Sequence, residues 1–429
     1  MIGRPLATVS SDTGALKSFY AARSNRISSY GKRRSRKQSV TPHNAVRCPI
    51  GSGMSGGPAS VLVGSSYNSG ACLVRQMEAA EDCAQKSQPF TIVASQDSAL
   101  FVRQVHEIAH NLLTSRPLIF WTDLLFTAAV AYGAFAVYIR AANWSIRQTL
   151  AFVVCALAFY RAVVFTHEIA HGRPGGPRAF EFVWNLLCGV PLLMPSFLYG
   201  DHKSHHSNQS YGTGSDAEYL VDAGPMRATA FLLLSSVYPV LGLLRFLLLT
   251  PLILTVRKCD EAVWRRASSL YMMNPRYRRQ YDRSVRSVGR WVQEVAACMW
   301  AWCIAVSLWS GAVPLSTALK AYFIFLFWMA LNQVRALAAH SYSSNGTPSN
   351  YVSQVLDSNT FAEGVLLPEV WAPLGMRYHA LHHLMPGLPY HAMAEAHARL
   401  MRQLPVDSPY RHTLQPSLPC ALKQAFQRR

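Results

Sequence analysis

The sequence predicts an all-α integral membrane protein: four transmembrane helices in two hairpins, interfacial helices, and a cytosolic cap rich in histidine. Three observations carry this. Charged residues make up only 15% of the 429 residues, against about 25% in ordinary soluble chains. The apolar residues gather in runs of membrane-crossing length. Nine of the 15 histidines fall in four places between or after those runs.

The runs come in order along the chain. Residues 118–139 form the first, interrupted only by Asp123, and 147–166 form the second, carrying Arg161. Residues 292–313 and 317–339 form the third and fourth. Each is near the roughly 20 residues that span a bilayer. Two further apolar stretches, 180–199 and 228–256, are ambiguous by length. Pro191 and Pro195 break the first; Pro239, Pro251 and a central Arg245 interrupt the second. Proline removes a helical hydrogen bond and kinks a straight span.

The histidines lie in HEIAH (His167, His171), HKSHH (His202, His205, His206), AAHSY (His340) and HALHH (His379, His382, His383). Residues three or four apart on a helix share a face, about 5–6 Å apart at Cβ, so each cluster can aim several imidazoles at one point. Imidazole suits iron, zinc, copper or nickel. One zinc takes about four ligands; nine are too many for one ion and suit two. A shared centre requires all clusters on one side of the membrane. Stretches 180–199 and 228–256 are therefore expected to make no net crossing.

Charge selects the side. Residues 257–290 hold ten Lys/Arg against three acids, and residues 1–76 hold eleven against one Asp. The turn between the third and fourth runs, SGAVPLS, holds none. Positive residues stay cytoplasmic, so the histidines are expected on the cytosolic face. The basic loop lies between membrane elements, which favours lipid headgroups over nucleic acid as its contact.

Residues 1–100 read as a disordered basic extension, 101–405 as the membrane domain and 406–429 as a C-terminal tail. For residues 1–76 a transit peptide, a disordered tail and a true start at Met77 all stay open. Cys155, Cys188, Cys298 and Cys303 fall in apolar stretches and read as small hydrophobes. GSGMSG at 51–56 matches GxGxxG only by letters, within a Ser/Gly-rich segment that lacks the strand and helix of a dinucleotide fingerprint, and there is no P-loop, so redox chemistry is expected to need an outside electron source.

HEIAH, HKSHH and HALHH, placed after a first and a second hairpin, resemble the three histidine boxes of the membrane fatty acid desaturase/hydroxylase superfamily. YGTGSDAEY after the second box, NQVRALAAHSY and RYHALHHLMPGLPYHAM agree with it, and the resemblance covers roughly residues 100–405. It implies that His167, His171, His202, His205, His206, His340, His379, His382 and His383 bind two non-haem iron ions that activate dioxygen. Glu168 and Asp216 are implied as partners that orient imidazoles. Asn332, two helical turns before His340, is within reach of the site. Arg335 either holds a headgroup or carboxylate near the metals or snorkels to the interface.

The resemblance implies a fatty acid desaturase that introduces a double bond into an acyl chain. Electrons would come from a separate ferredoxin-like or haem protein. Hydroxylation or ketolation of a lipid or carotenoid at the same centre is the alternative. The acyl chain would enter an apolar tunnel, with Phe159, Phe325 and Trp328 among its candidate walls.

HEIAH also fits HExxH, the zinc metalloprotease motif with Glu as general base. The motif occurs twice, at 106–110 and 167–171. A protease would leave seven other clustered histidines without a use. The first copy reads as two histidines on the outer face of an amphipathic surface helix. His391, His397 and His412 fit no cluster.

Overall fold

The computed structural model describes residues 95–172, 177–268, 273–282, 285, 287–362 and 365–427. Of the extension expected at 1–100, residues 1–94 lie outside the described residues, and 95–100 are instead the start of a helix whose Phe101 and Val105 are buried. Among the described residues the regular structure is helical, with three isolated β-bridges.

Helix α1 (Ser95–Ala109) begins the described chain. Phe101, Val105 and Ala109 form its buried stripe, one residue every turn. His106 and His110 point away from that stripe and are exposed, which is the surface-helix reading of the first HEIAH.

Helices α2 (Pro117–Arg140) and α3 (Ile146–His171) form the first hairpin. Ser145 caps α3 by accepting from the Gln148 N–H at 3.1 Å. Gly172 ends it in the left-handed region, φ +68°, so the chain turns away directly after His171.

The 180–199 stretch is broken, as its prolines predict. Helix α4 (Pro177–Trp184) passes into a π turn, Asn185–Gly189, and then a 3₁₀ turn, Ser196–Tyr199. Irregular backbone at membrane depth survives only where protein satisfies its polar groups. Here Asn185 Oδ1 accepts from the Ser196 N–H and Gln293 Oε1 from the Phe197 N–H, at 2.9 and 3.1 Å. The chain then reaches the short helix α5 (His202–His205).

The 228–256 stretch is a chain of short pieces. Helices α6 (Pro225–Leu233), α7 (Tyr238–Leu244) and α8 (Thr250–Thr255) are joined by a 3₁₀ turn and a π turn. Residues 238–255 are long and apolar enough to cross, which makes five such helices among the described residues rather than four. Both ends of the 223–275 segment nevertheless lie beside α5. Asp222 pairs with Arg276 at 2.6 Å, and Arg279 reaches back to Asp201 at 2.8 Å. Arg245 is buried and bonded to Glu294, which also accepts from Thr250. A charge inside an apolar stretch is thus matched instead of solvated.

Helix α9 (Asp260–Arg266) leads to the second hairpin, α10 (Val288–Trp309) and α11 (Leu315–Ala338). Beyond α11 come α12 (Tyr351–Asp357), α13 (Pro368–Trp371), α14 (His379–Leu384), α15 (Met393–Gln403) and α16 (Leu418–Gln427). Of the tail expected at 406–429, the described part, 406–427, is anchored to the domain: Ala421 and Leu422 of α16 join the core, and Gln424 accepts from Ser341.

Two cavities are notable. The larger, about 480 Å³, is apolar and has Tyr132, Phe159, Tyr238, Trp300, Phe325 and Trp328 among its walls. The three aromatics named from the sequence as candidate tunnel walls all line it.

Candidate metal centre

Four separate pieces of chain deliver the nine histidines, and each is fixed by local structure. The last turn of α3 carries His167 and His171, four apart on one face. Helix α5 with the following residue carries His202, His205 and His206. Its entry is clamped at Asp201, which accepts from Tyr277 Oη and Arg279 Nε at 2.5 and 2.8 Å. His340 lies just past α11, and α14 carries His379, His382 and His383. An extended segment, 358–361, stitches the last two pieces together. His340 bridges to Ser358 on one side, and Thr360 bridges to Tyr378 on the other.

These pieces converge on two points. His167, His171, His202 and His382 have ring nitrogens within 4.8 Å of one another, and so do His205, His340, His379 and His383. His206 adjoins both groups: its Nε2 is 3.2 Å from that of His202 and 3.0 Å from that of His382 in the first, and its ring lies 4.4 Å from that of His383 in the second. All nine candidate ligands are therefore together, at the His171 end of α3 and just past the Ala338 end of α11. Except for His171 and His206, all are buried.

The proton positions test whether a cation fits. A neutral imidazole has one N–H and one lone pair. His205 Nδ1 sits 2.9 Å from both oxygens of Asp216, and His202 Nδ1 sits 2.7 Å from Glu218. A carboxylate only accepts, so each Nδ1 carries the proton and each Nε2 keeps its lone pair. His340 Nδ1 lies 2.9 Å from Tyr211 Oη, whose own proton goes to Asp357 at 2.8 Å. His340 Nε2 is then also a lone pair. Yet His205 Nε2 and His340 Nε2 stand 3.2 Å apart. Two lone pairs at that distance repel unless an electrophile lies between them. The donor set of this second group fits a metal ion, and the first group, with the His202 lone pair on Nε2, offers the same kind of set.

Electrostatics agree. Burial first, and neighbouring imidazoles next, hold His206, His340, His379 and His383 well below the ordinary histidine value; Arg335 adds to this at His340 and His379. They are neutral, the ligating form, at physiological pH. For Glu218, burial opposes ionisation, but His202 outweighs it and holds the carboxyl down to about 2. At His205 burial disfavours charge, and the Asp216 carboxylate overcomes it and raises the pKa. Such basicity strengthens an imidazole as a ligand.

Of the partners expected from the sequence, Asp216 lies against His205, and Glu168 lies 3.4 Å from His167 Nδ1. Asn332 is engaged by Arg335, whose Nη2 donates to its Oδ1 at 2.9 Å. Arg335 itself is close enough for its charge to depress His340 and His379. The sequence reading missed Glu218, Tyr211 and Asp357. Glu218 stands two residues after Asp216 in SDAEY and was within reach of a sequence argument. Asp357 lies in a segment without histidine and gives no such signal.

An all-α membrane fold with histidines from three boxes and one extra segment defines a class, and comparison with known proteins gives the same one. The chain belongs to the fatty acid desaturase family, the membrane desaturase/hydroxylase superfamily, with the family described as "Fatty acid desaturase" matching residues 143–414. It is also 36% identical over 334 residues to a ceramide hydroxylase of Caulobacter vibrioides (strain NA1000 / CB15N), covering 76% of this chain and 93% of that one. The protein is an oxidoreductase of this superfamily.

Proposed function

We propose that the protein is a dioxygen-dependent lipid hydroxylase with a His-ligated diiron centre, acting on the acyl part of a ceramide-type lipid. The observation that carries this is the pair of four-histidine groups, with the Nε2 lone pairs of His202, His205 and His340 turned inward. Similarity to a ceramide hydroxylase over nearly that protein's whole length supports hydroxylation and the substrate class. The family description supports the second reading, desaturation of a fatty acyl chain.

Two bound irons would supply the dioxygen activation needed to break an unactivated C–H bond. His167, His171, His202 and His382 would hold one ion, His205, His340, His379 and His383 the other, with His206 beside both. Asp216, Glu218 and Tyr211 fix which nitrogen faces inward. The apolar cavity gives an acyl chain a dry place to lie. Hydroxylation consumes one dioxygen, two electrons and two protons, and yields the alcohol and water. The electrons require a separate ferredoxin-like or haem donor. The basic stretches support a centre on the cytosolic face.

The test is turnover of a ceramide and of a fatty acyl substrate by the purified protein, with a ferredoxin system and labelled dioxygen. The expected product carries one oxygen atom from dioxygen. Loss of two hydrogens without added oxygen would establish desaturation instead. Absence of either product, with metal bound and electrons delivered, would contradict the assignment.

A further inference from the structure

The second cavity, about 410 Å³, lies on the other side of the first hairpin. Its walls include Asp123, Phe126 and Thr127 of α2, Arg161 of α3, and Glu369 and Val370 of α13. Residues of α2 advance about 100° each. Asp123, Phe126 and Thr127 therefore face away from Tyr132 and Phe135, which line the apolar cavity.

Asp123 and Arg161 were the two charges interrupting the first two apolar runs. Ionisable groups inside spans are costly and usually functional. Here Arg161 donates through Nε and Nη2 to both oxygens of Asp123, at 3.3 and 2.6 Å. The pair is not sealed: the side chains are 35% and 19% exposed. The rim is apolar and outward-facing, with Phe126 71% and Val370 39% exposed. A mixed polar pocket with an apolar rim on the flank of a membrane hairpin faces lipid.

We propose that this pocket holds the headgroup of an uncharged lipid bearing hydroxyl and carbonyl groups. The charges are balanced: Asp123 by Arg161, and Glu369 by Arg377 at 3.1 Å. A phosphate or carboxylate would enter beside two carboxylates with no cation in excess, which disfavours an anionic headgroup. What the pocket offers is a donor, Arg161 Nη1, and an acceptor, Glu369 Oε2. Among the described residues neither atom is bonded to protein. A carbonyl oxygen answers the first and a hydroxyl or amide N–H the second.

Tyr390 joins this pocket to the metal side. Its hydroxyl donates to Asp123 at 2.7 Å, and its backbone N–H donates to Glu168 at 3.3 Å, beside His167. The pocket thus adjoins the residues that support the centre while remaining separate from the acyl cavity.

The experiment is native mass spectrometry of the full chain in detergent, titrated in parallel with a short-chain N-acyl amino diol and with anionic phosphatidylglycerol. Wild type is expected to bind the uncharged lipid about tenfold more tightly, the worth of a hydrogen bond to a charged group. Glu369→Gln removes the charged acceptor and Val370→Trp fills the pocket without touching the ion pair. Each is expected to cost about tenfold in that affinity, with metal content unchanged. Equal or tighter binding of phosphatidylglycerol, or wild-type affinity in both variants, would overturn the proposal. Binding is read without turnover, so selective binding by a protein that forms no oxidised product would uphold the pocket and contradict only the functional reading.

Discussion

The double variant His205→Ala, His382→Ala is expected to form no detectable product and to lose bound metal. It removes one imidazole from each four-histidine group, so neither group keeps a full set. Both side chains are buried, and alanine leaves a space with no replacement donor. His106→Ala is the matched control. His106 is exposed on α1, outside both groups, and its loss is expected to leave activity and metal content unchanged. Product formation by mass spectrometry and metal analysis on the same preparations check both. Full activity in the double variant would exclude these histidines as the working centre.

Asp216→Asn is the second variant with a large expected effect. Asp216 is fully buried and takes the His205 Nδ1 proton with both oxygens. It also accepts from the Gly212 and Glu218 backbone N–H groups, at 2.8 and 2.9 Å. The loop after the second box therefore folds around this carboxylate. Asparagine keeps the size, removes the charge and presents an N–H where only acceptors are tolerated. Loss of such a partner costs about 10–100-fold in metal affinity or activity. Glu218→Gln is expected to act in the same direction through His202. Competition titrations of metal affinity, with folding followed by circular dichroism, separate this from simple unfolding. Unchanged metal retention in both variants would remove the carboxylates from the account.

Much of this was legible in the sequence because ligand spacing and hydropathy are local properties. HxxxH and HxxHH announce themselves within one helical turn. The crossing parity then joined the four clusters without any structure, and the two four-histidine groups draw on all four of them. Residues 238–255 were harder. Length and apolarity meet the requirement for a span, but what tames Arg245 is Glu294, 49 positions away, and composition cannot show a partner. Long-range pairs hid the supporting layer for the same reason. Asp357 accepts from Tyr211 and Tyr219, both more than a hundred residues earlier. Asn332 has helical spacing to His340, yet Arg335, one turn on, claims it. The Asp123–Arg161 pair was visible only as two isolated blemishes in apolar runs until the hairpin placed them side by side.

The central claim is that the histidines hold two irons, and elemental mass spectrometry of the detergent-purified protein tests it most directly. About two irons per chain, lost together in the His205→Ala, His382→Ala variant, is the expected result. About one zinc and no iron, in protein expressed with iron in excess, would contradict the diiron centre and return weight to the HExxH reading of HEIAH.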